Sequence, residues 1–210
     1  MATQHAVVFG STGRVGSAVV RIALERGHRV TAVARDPAKV EQRAAGLTVI
    51  RGDTSDPQSV AAVLTAAADA TAVIMAVGSD PLKASTLVTT TVRNIAQAMP
   101  AAGVRRYLGV SGTAQMPATI LGRMTQLGLR LAIKATADHQ NAYDVITATD
   151  LDYVLAGCPY IKDGAAASRY QEHPGKFPGG YKTITPTNVA DFLCTELERE
   201  RYHRQIVGIW

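Results

Sequence analysis

Gly10-Ser11-Thr12-Gly13-Arg14-Val15-Gly16 is the stretch that decides the fold. It follows a short apolar run, Ala6-Val7-Val8-Phe9, that reads as a buried strand. It opens a segment in which Val15, Val19, Ile22 and Ala23 share one helix face at the 3.6-residue period. A glycine triplet alone means little; between a strand and a helix it has the context the motif demands. The first glycine lets the chain turn sharply, the second brings backbone N–H groups against a pyrophosphate, and the third packs the helix closely on the sheet. The helix N-terminus adds partial positive charge. We therefore expect Gly10, Ser11, Thr12, Gly13, Arg14, Val15 and Gly16 to cradle a dinucleotide, against the plainer reading of a structural turn.

Working outward, short β-branched runs alternate with helical patterns. Gly27 closes the first helix, expected over 14–26. Strands are expected at 28–35, 47–51, 71–77, 105–110 and 151–156. Asp36-Pro37 and Asp56-Pro57 each supply an N-cap and a first-turn proline. A long helical tract over 118–147 carries the apolar stripe Ile120, Met124, Leu127 and Leu131, loosened by Gly122 and Gly128. Small residues at 164–167 give way to a loop over 168–180, mobile by its glycines and prolines. A short strand near 181–184, a helix over 187–200 and a strand at 205–209 close the chain. This alternation implies right-handed crossovers and a Rossmann-type doubly wound parallel sheet with helices on both faces, class α/β. A single domain over 1–210 is expected, with a cofactor-binding core at 1–155 and a small substrate-side segment at 156–210.

Composition agrees and excludes several classes. The 210 residues are 47% hydrophobic and 19% charged, with 18 Gly and nine Pro, which rules out disordered, collagen-like and mini-protein chains. A net charge of +5 favours anionic partners without choosing among them. The tail 198–204 mixes acids with bases and reads as a solvated helix end. With aromatics at only 5%, it offers no basic stripe for nucleic acid. Cys158 and Cys194 lie 36 residues apart, neither a zinc spacing nor a disulfide framework, and read as buried thiols. No metal site is expected. The apolar run 60–77 is broken by Thr65, Asp69 and Thr71 and reads as helix then strand, so no membrane partner is expected. The short polar start carries no secretory signal, and a cytoplasmic protein is expected.

The choice of dinucleotide falls to the end of the second strand. Arg35 stands 19 residues after Gly16, with Asp36 next. A guanidinium suits a ribose 2′-phosphate through bidentate charge-assisted bonds; Asp36, before a proline, caps a helix more simply than it binds a 2′-hydroxyl. Arg14 could approach the same phosphate from within the glycine loop. The expected cofactor is NADP(H). The other strand ends supply further candidates, since ligands bind beyond the carboxyl edge of such sheets. Asp53-Thr54 would meet the adenine, Gly78 in Ala76-Val77-Gly78 permits close backbone approach, and Ser111 and Cys158-Pro159-Tyr160 follow the fifth and sixth strands.

These residues resemble the atypical short-chain dehydrogenase/reductases, in particular the NAD(P)H-binding group around biliverdin-IXβ reductase (flavin reductase) and the NmrA-like proteins. The carriers are Gly10 to Gly16, Val33-Ala34-Arg35-Asp36-Pro37, Gly52-Asp53, Val92-Arg93-Asn94-Ile95, Ser111, Asp138-His139 and Leu151-Asp152-Tyr153-Val154. Most short-chain dehydrogenases pair a Tyr with a Lys four residues on, to hold down the phenol's pKa. None of the seven tyrosines here has a lysine at that spacing, and Arg130 stands four before Lys134. The reductase group also lacks the pair, and the resemblance implies direct hydride transfer from NADPH to a planar conjugated acceptor such as a flavin or quinone, with a proton from solvent. Ser111 would then orient the nicotinamide or the acceptor, and Tyr160 would stand where the reductases have a histidine. Asp138-His139 reads equally as a polar helix pair. A non-catalytic NADP(H) sensor of the NmrA type is the competing expectation.

Overall fold

The computed structural model describes residues 2–164 and 170–210. In chain order, β1 (His5–Phe9), α1 (Arg14–Glu25), β2 (Arg29–Ala34), β3 (Leu47–Arg51), α2 (Pro57–Ala66), β4 (Ala72–Met75) and α3 (Leu87–Ala98) build the first half. Then come β5 (Arg106–Gly112), α4 (Ile120–Ala132), α5 (Ala135–Thr147), β6 (Asp152–Cys158), β7 (Tyr160–Ile161), β8 (Glu172–His173), β9 (Thr183–Ile184), α6 (Pro186–Arg199) and β10 (Gln205–Ile209). Eight strands form one sheet in the order β3-β2-β1-β4-β5-β6-β10-β8. Every pairing in it is parallel except β10 with β8.

The chain runs outward from β1 to β3, returns to β4 beside β1, and then proceeds the other way. The direction therefore switches between β1 and β4, where a crevice opens at the carboxyl edge. Alternate residues of each strand feed two apolar layers. Ala6, Val8 and Ile74 pack with α1 and α6, while Val7, Phe9 and Met75 pack with α2, α3 and α5. Local chemistry sets the helix ends as expected: Asp56 accepts from the Gln58 N–H ahead of Pro57, and Gly27 ends α1 at φ +80°.

Four features depart from the sequence reading. The tract expected over 118–147 is two helices, because Ile133 adopts an extended conformation between α4 and α5. The stripe Ile120, Met124, Leu127 and Leu131 faces solvent rather than the core. Part of the loop expected over 168–180 is β8, and residues 165–169 lie outside the described residues. Finally, the 198–204 tail, exposed as expected at Arg199, Glu200, Arg201, His203 and Arg204, is also tied down at several points. Glu198 lies 2.9 Å from the buried His28 ring, and Arg201 binds Glu172 and the fully buried Glu196, each at 2.9 Å.

Both cysteines are buried and unpaired, and burial pushes the Cys194 thiol up to about 12 and Cys158 higher still, so neither is a thiolate at neutral pH. No helix among the described residues is long and apolar enough to cross a membrane.

Candidate functional site

The glycine loop sits at the β1–β4 switch point, held by contacts that leave no room for side chains. Gly10 has φ +83°, and a Cβ there would lie 2.7 Å from the Ala76 carbonyl carbon and 2.8 Å from the Val77 nitrogen. A Cβ on Gly16 would lie 2.0 Å from the Gly10 carbonyl oxygen. The exit of β1 is thus pressed against the exit of β4 on one side and against α1 on the other. The Gly13 N–H donates to the Gly10 carbonyl at 3.0 Å and closes the turn. Gly13 occupies the N-cap of α1, where no side chain caps the helix and the first turn holds no acid. The N–H groups that open α1 therefore face the crevice with their partial charge uncompensated, which fits a diphosphate.

The remaining loop residues divide the labour. Ser11 is buried and donates to the Val33 carbonyl at 2.8 Å, pinning the loop to the end of β2. Thr12 is exposed and Val15 is buried in the α1 packing. Arg14 is held on the far side of the loop, donating to Asp163 at 2.9 Å and to the Ile161 carbonyl at 3.4 Å. Its guanidinium thereby closes the segment after β6 against the glycine loop.

Arg35 leaves β2 at the carboxyl edge, exposed and without a hydrogen bond or ion pair to any described side chain. Asp53 lies close by. The Ser55 hydroxyl and N–H donate to it at 2.7 and 2.9 Å and, together with the Arg35 charge, hold its carboxyl below the usual range. Asp36 accepts from the Ala38 N–H at 3.2 Å and caps the short turn that follows. Thr54 accepts from Thr91 at 2.9 Å, and its carbonyl accepts from Asn94 at 2.9 Å. Its side chain anchors the loop after β3 to α3. Asn94 was legible only as part of a resemblance; its role in holding that loop emerges from the fold.

At the other end of the crevice, Ala76 continues the β1 pairing through its N–H to the Phe9 carbonyl at 2.9 Å, and Gly78 borders open space. Ser111, buried near the end of β5, is paired through its backbone with β6, while its hydroxyl makes no hydrogen bond to a described residue; it lines a small void with His139 and Tyr143 of α5. Burial pushes the His139 pKa down against the opposing charge of Asp138, so the imidazole is neutral at pH 7. Burial likewise raises the Tyr143 phenol. Cys158 is buried at the end of β6, and beyond Pro159 Tyr160 is exposed in β7, paired with β9. Lys134 is an exposed residue at the N-cap of α5.

Asp138 has a structural task. It is almost fully buried and accepts from the Val88 and Thr89 N–H groups at 3.0 and 2.8 Å and from the Thr89 hydroxyl at 2.6 Å. It thus caps α3, whose own N-cap Thr86 supplies no side-chain bond. Asp138→Ala should lower unfolding free energy by about 3 kcal/mol, because two buried N–H groups lose a charged acceptor; a chemical denaturation midpoint measures this.

Comparison with known proteins adds a family. A family model described as NAD(P)H-binding matches residues 10–200. Among solved structures, a protein from Burkholderia pseudomallei superposes with a TM-score of 0.80 at 28% identity, over 99% of each chain. ChuY, an anaerobilin reductase from Escherichia coli O157:H7, gives a TM-score of 0.78 at 21% identity, over 98% of this chain and 96% of that one. A provisionally named NADH-flavin reductase from Streptococcus pneumoniae TIGR4 gives 0.78 at 22% identity, over 99% of each chain. The last two likenesses establish the fold.

Proposed function

The chain belongs to the NAD(P)H-binding family, and on that premise we propose that it is an NADPH-dependent reductase of a planar conjugated acceptor such as a flavin or quinone. The observation that carries the reading is the uncompensated α1 N-terminus beside Gly10 and Gly16, with the Arg35 guanidinium, exposed and without an ion pair among the described residues, at the neighbouring strand end. The bound cofactor would supply a hydride. The chain's residues bind and orient: the loop N–H groups take the diphosphate, Arg35 takes the 2′-phosphate, and Ala76, Val77 and Gly78 offer backbone to the nicotinamide end.

Ser111 would orient the ring or its acceptor through a hydroxyl with no competing partner among the described residues, and Tyr160, with Pro159 and Cys158, would border the acceptor. His139 is neutral and half-buried beside Ser111, and no tyrosine carries the lysine that lowers a phenol's pKa. The proton is therefore best drawn from solvent, and positioning does the catalytic work. The anaerobilin reductase and the flavin reductase among the structural neighbours are consistent with conjugated-ring acceptors.

Two measurements test this. Replacing Arg35 by Ala should weaken NADPH binding by about 2 kcal/mol, roughly 30-fold, while leaving NADH unchanged; calorimetric titration of both nucleotides reads it, and an unaltered preference removes Arg35 from the site. Loss of reduced-nicotinamide absorbance with FMN, riboflavin, quinones or biliverdin is the expected turnover. Tight binding of both cofactor forms with equal affinity, no turnover and a co-purifying protein would instead indicate a sensor of the NmrA type.

A further inference from the structure

Helix α4 is turned inside out. Ile120, Leu121, Met124, Leu127 and Leu131 are 60–84% exposed, and four of them recur at the spacing of one helical stripe. The inward side carries Gly122 and Gln126 instead. The Gln126 amide donates to the Thr113 and Met116 carbonyls at 2.8 and 2.9 Å, and a Cβ on Gly122 would lie 2.3 Å from the Phe177 carbonyl oxygen. A polar anchor thus fixes the helix with its apolar stripe outward. The patch extends past the helix. The Ala135 N–H donates to the Pro81 carbonyl at 3.3 Å, which sets exposed Leu82 near the end of α4. The Gly180 N–H donates to Thr125 at 3.2 Å, which sets exposed Tyr181 along its side. Single exposed apolar residues need no account, but a contiguous patch marks a contact.

Charge chooses the occupant. From 113 to 137 the chain holds Arg123, Arg130 and Lys134 and no Asp or Glu. Arg123 and Arg130 lie seven residues apart along one edge of the stripe, and neither forms an ion pair among the described residues, though Arg130 donates to the Ala114 carbonyl and to Gln140, each at 3.4 Å. A second copy docking through this face would set these cations against their own copies, with no acid on the helix to pair them. An anionic lipid surface matches both features. The stripe enters the boundary between headgroups and acyl chains, the guanidiniums stay at the phosphates, and Tyr181 suits the same depth.

We propose that α4 is an interfacial helix that seats this protein on an anionic lipid surface. The helix runs between the loop after β4 and the loop before β9, so the docked side is the carboxyl edge that carries the cofactor crevice. The expectation of no membrane partner came from the lack of a spanning segment, and an interfacial helix spans nothing.

Cosedimentation of the full chain with vesicles of phosphatidylglycerol and phosphatidylcholine in equal parts tests this. Partitioning should exceed that onto pure phosphatidylcholine by about tenfold or more and should fall as salt is raised. Met124→Glu with Leu127→Glu should cut it by roughly tenfold. Arg123→Gln with Arg130→Gln should remove the anionic preference. All four positions are exposed and the only side-chain hydrogen bonds lost among the described residues are the two long ones of Arg130, so melting temperature should change little and NADPH affinity should stay at the wild-type value, which separates this test from that of the cofactor site. No pelleting with anionic vesicles overturns the proposal, as does pelleting indifferent to the glutamates. A lipid-free dimer that Met124→Glu dissociates overturns it too and assigns the face to a second copy.

Discussion

Gly16→Ala should weaken nucleotide binding by roughly 100-fold and lower the stability of the fold. The added methyl would stand 2.0 Å from the Gly10 carbonyl oxygen, 2.7 Å from its carbon and 3.1 Å from the Ser11 Cα. All three are backbone atoms, so no rotamer change relieves the clash. Gly10 cannot retreat, because it already abuts Ala76 and Val77 at the end of β4. The remaining response is for α1 to lift from the β1 exit by about an ångström, which costs about 1–3 kcal/mol as overpacking. A shift of about 1 Å in a preorganised site costs roughly 100-fold in what the site does. NADPH titration and thermal melting measure the two consequences. Wild-type affinity in Gly16→Ala would show that the diphosphate binds elsewhere.

Glu196→Ala should be the most destabilising single change at the opposite edge of the sheet, at about 3–5 kcal/mol. Glu196 is fully buried and accepts from Arg201 Nε at 2.9 Å, from the Tyr202 N–H at 3.2 Å and from Arg106 at 3.4 Å. Arg106 is itself nearly buried; its Nε has no partner among the described residues, while its other nitrogens donate to Asp152 at 2.7 Å and to the Tyr202 and Glu196 carbonyls at 2.9 and 3.3 Å. Removing the carboxylate takes the acceptor from the Tyr202 N–H and Arg201 Nε and leaves the buried Arg106 with Asp152 as its one acidic partner among the described residues, whereas Glu196→Gln keeps the volume and part of the bonding and should cost less. Denaturation midpoints rank the two. At temperatures where the variants stay folded, NADPH affinity should match the wild type, since this cluster lies at the amino ends of β5 and β6, away from the crevice.

The sequence made the frame legible wherever local chemistry and tertiary demand coincide. β1, β3 and β10 lie where short apolar runs place them, and Asp56-Pro57 starts α2 because cap and ring act within one turn. The glycine loop was readable for the same reason, as its glycines answer to backbone close by in space as well as in chain. The α4 stripe misled because periodicity says which residues share a face and nothing about where that face points. The direction was set by Gln126 and Gly122, two inconspicuous residues that hold the helix to Met116 and Phe177. Long-range polar ties were equally hidden. Asp138 capping α3 from 50 residues away, or Glu198 meeting His28, follows from topology and leaves no local signature. The ion pair of Arg14 with Asp163 likewise has no signal in the motif that holds Arg14.

The measurement that tests the central claim most directly is a crystal structure of the protein grown with saturating NADPH. The predicted result puts the diphosphate within hydrogen-bond reach of the N–H groups between Gly10 and Gly16, with the Arg35 guanidinium on the 2′-phosphate. A nucleotide bound away from the β1–β4 crevice, or a 2′-phosphate left to solvent with Arg35 turned aside, would contradict it.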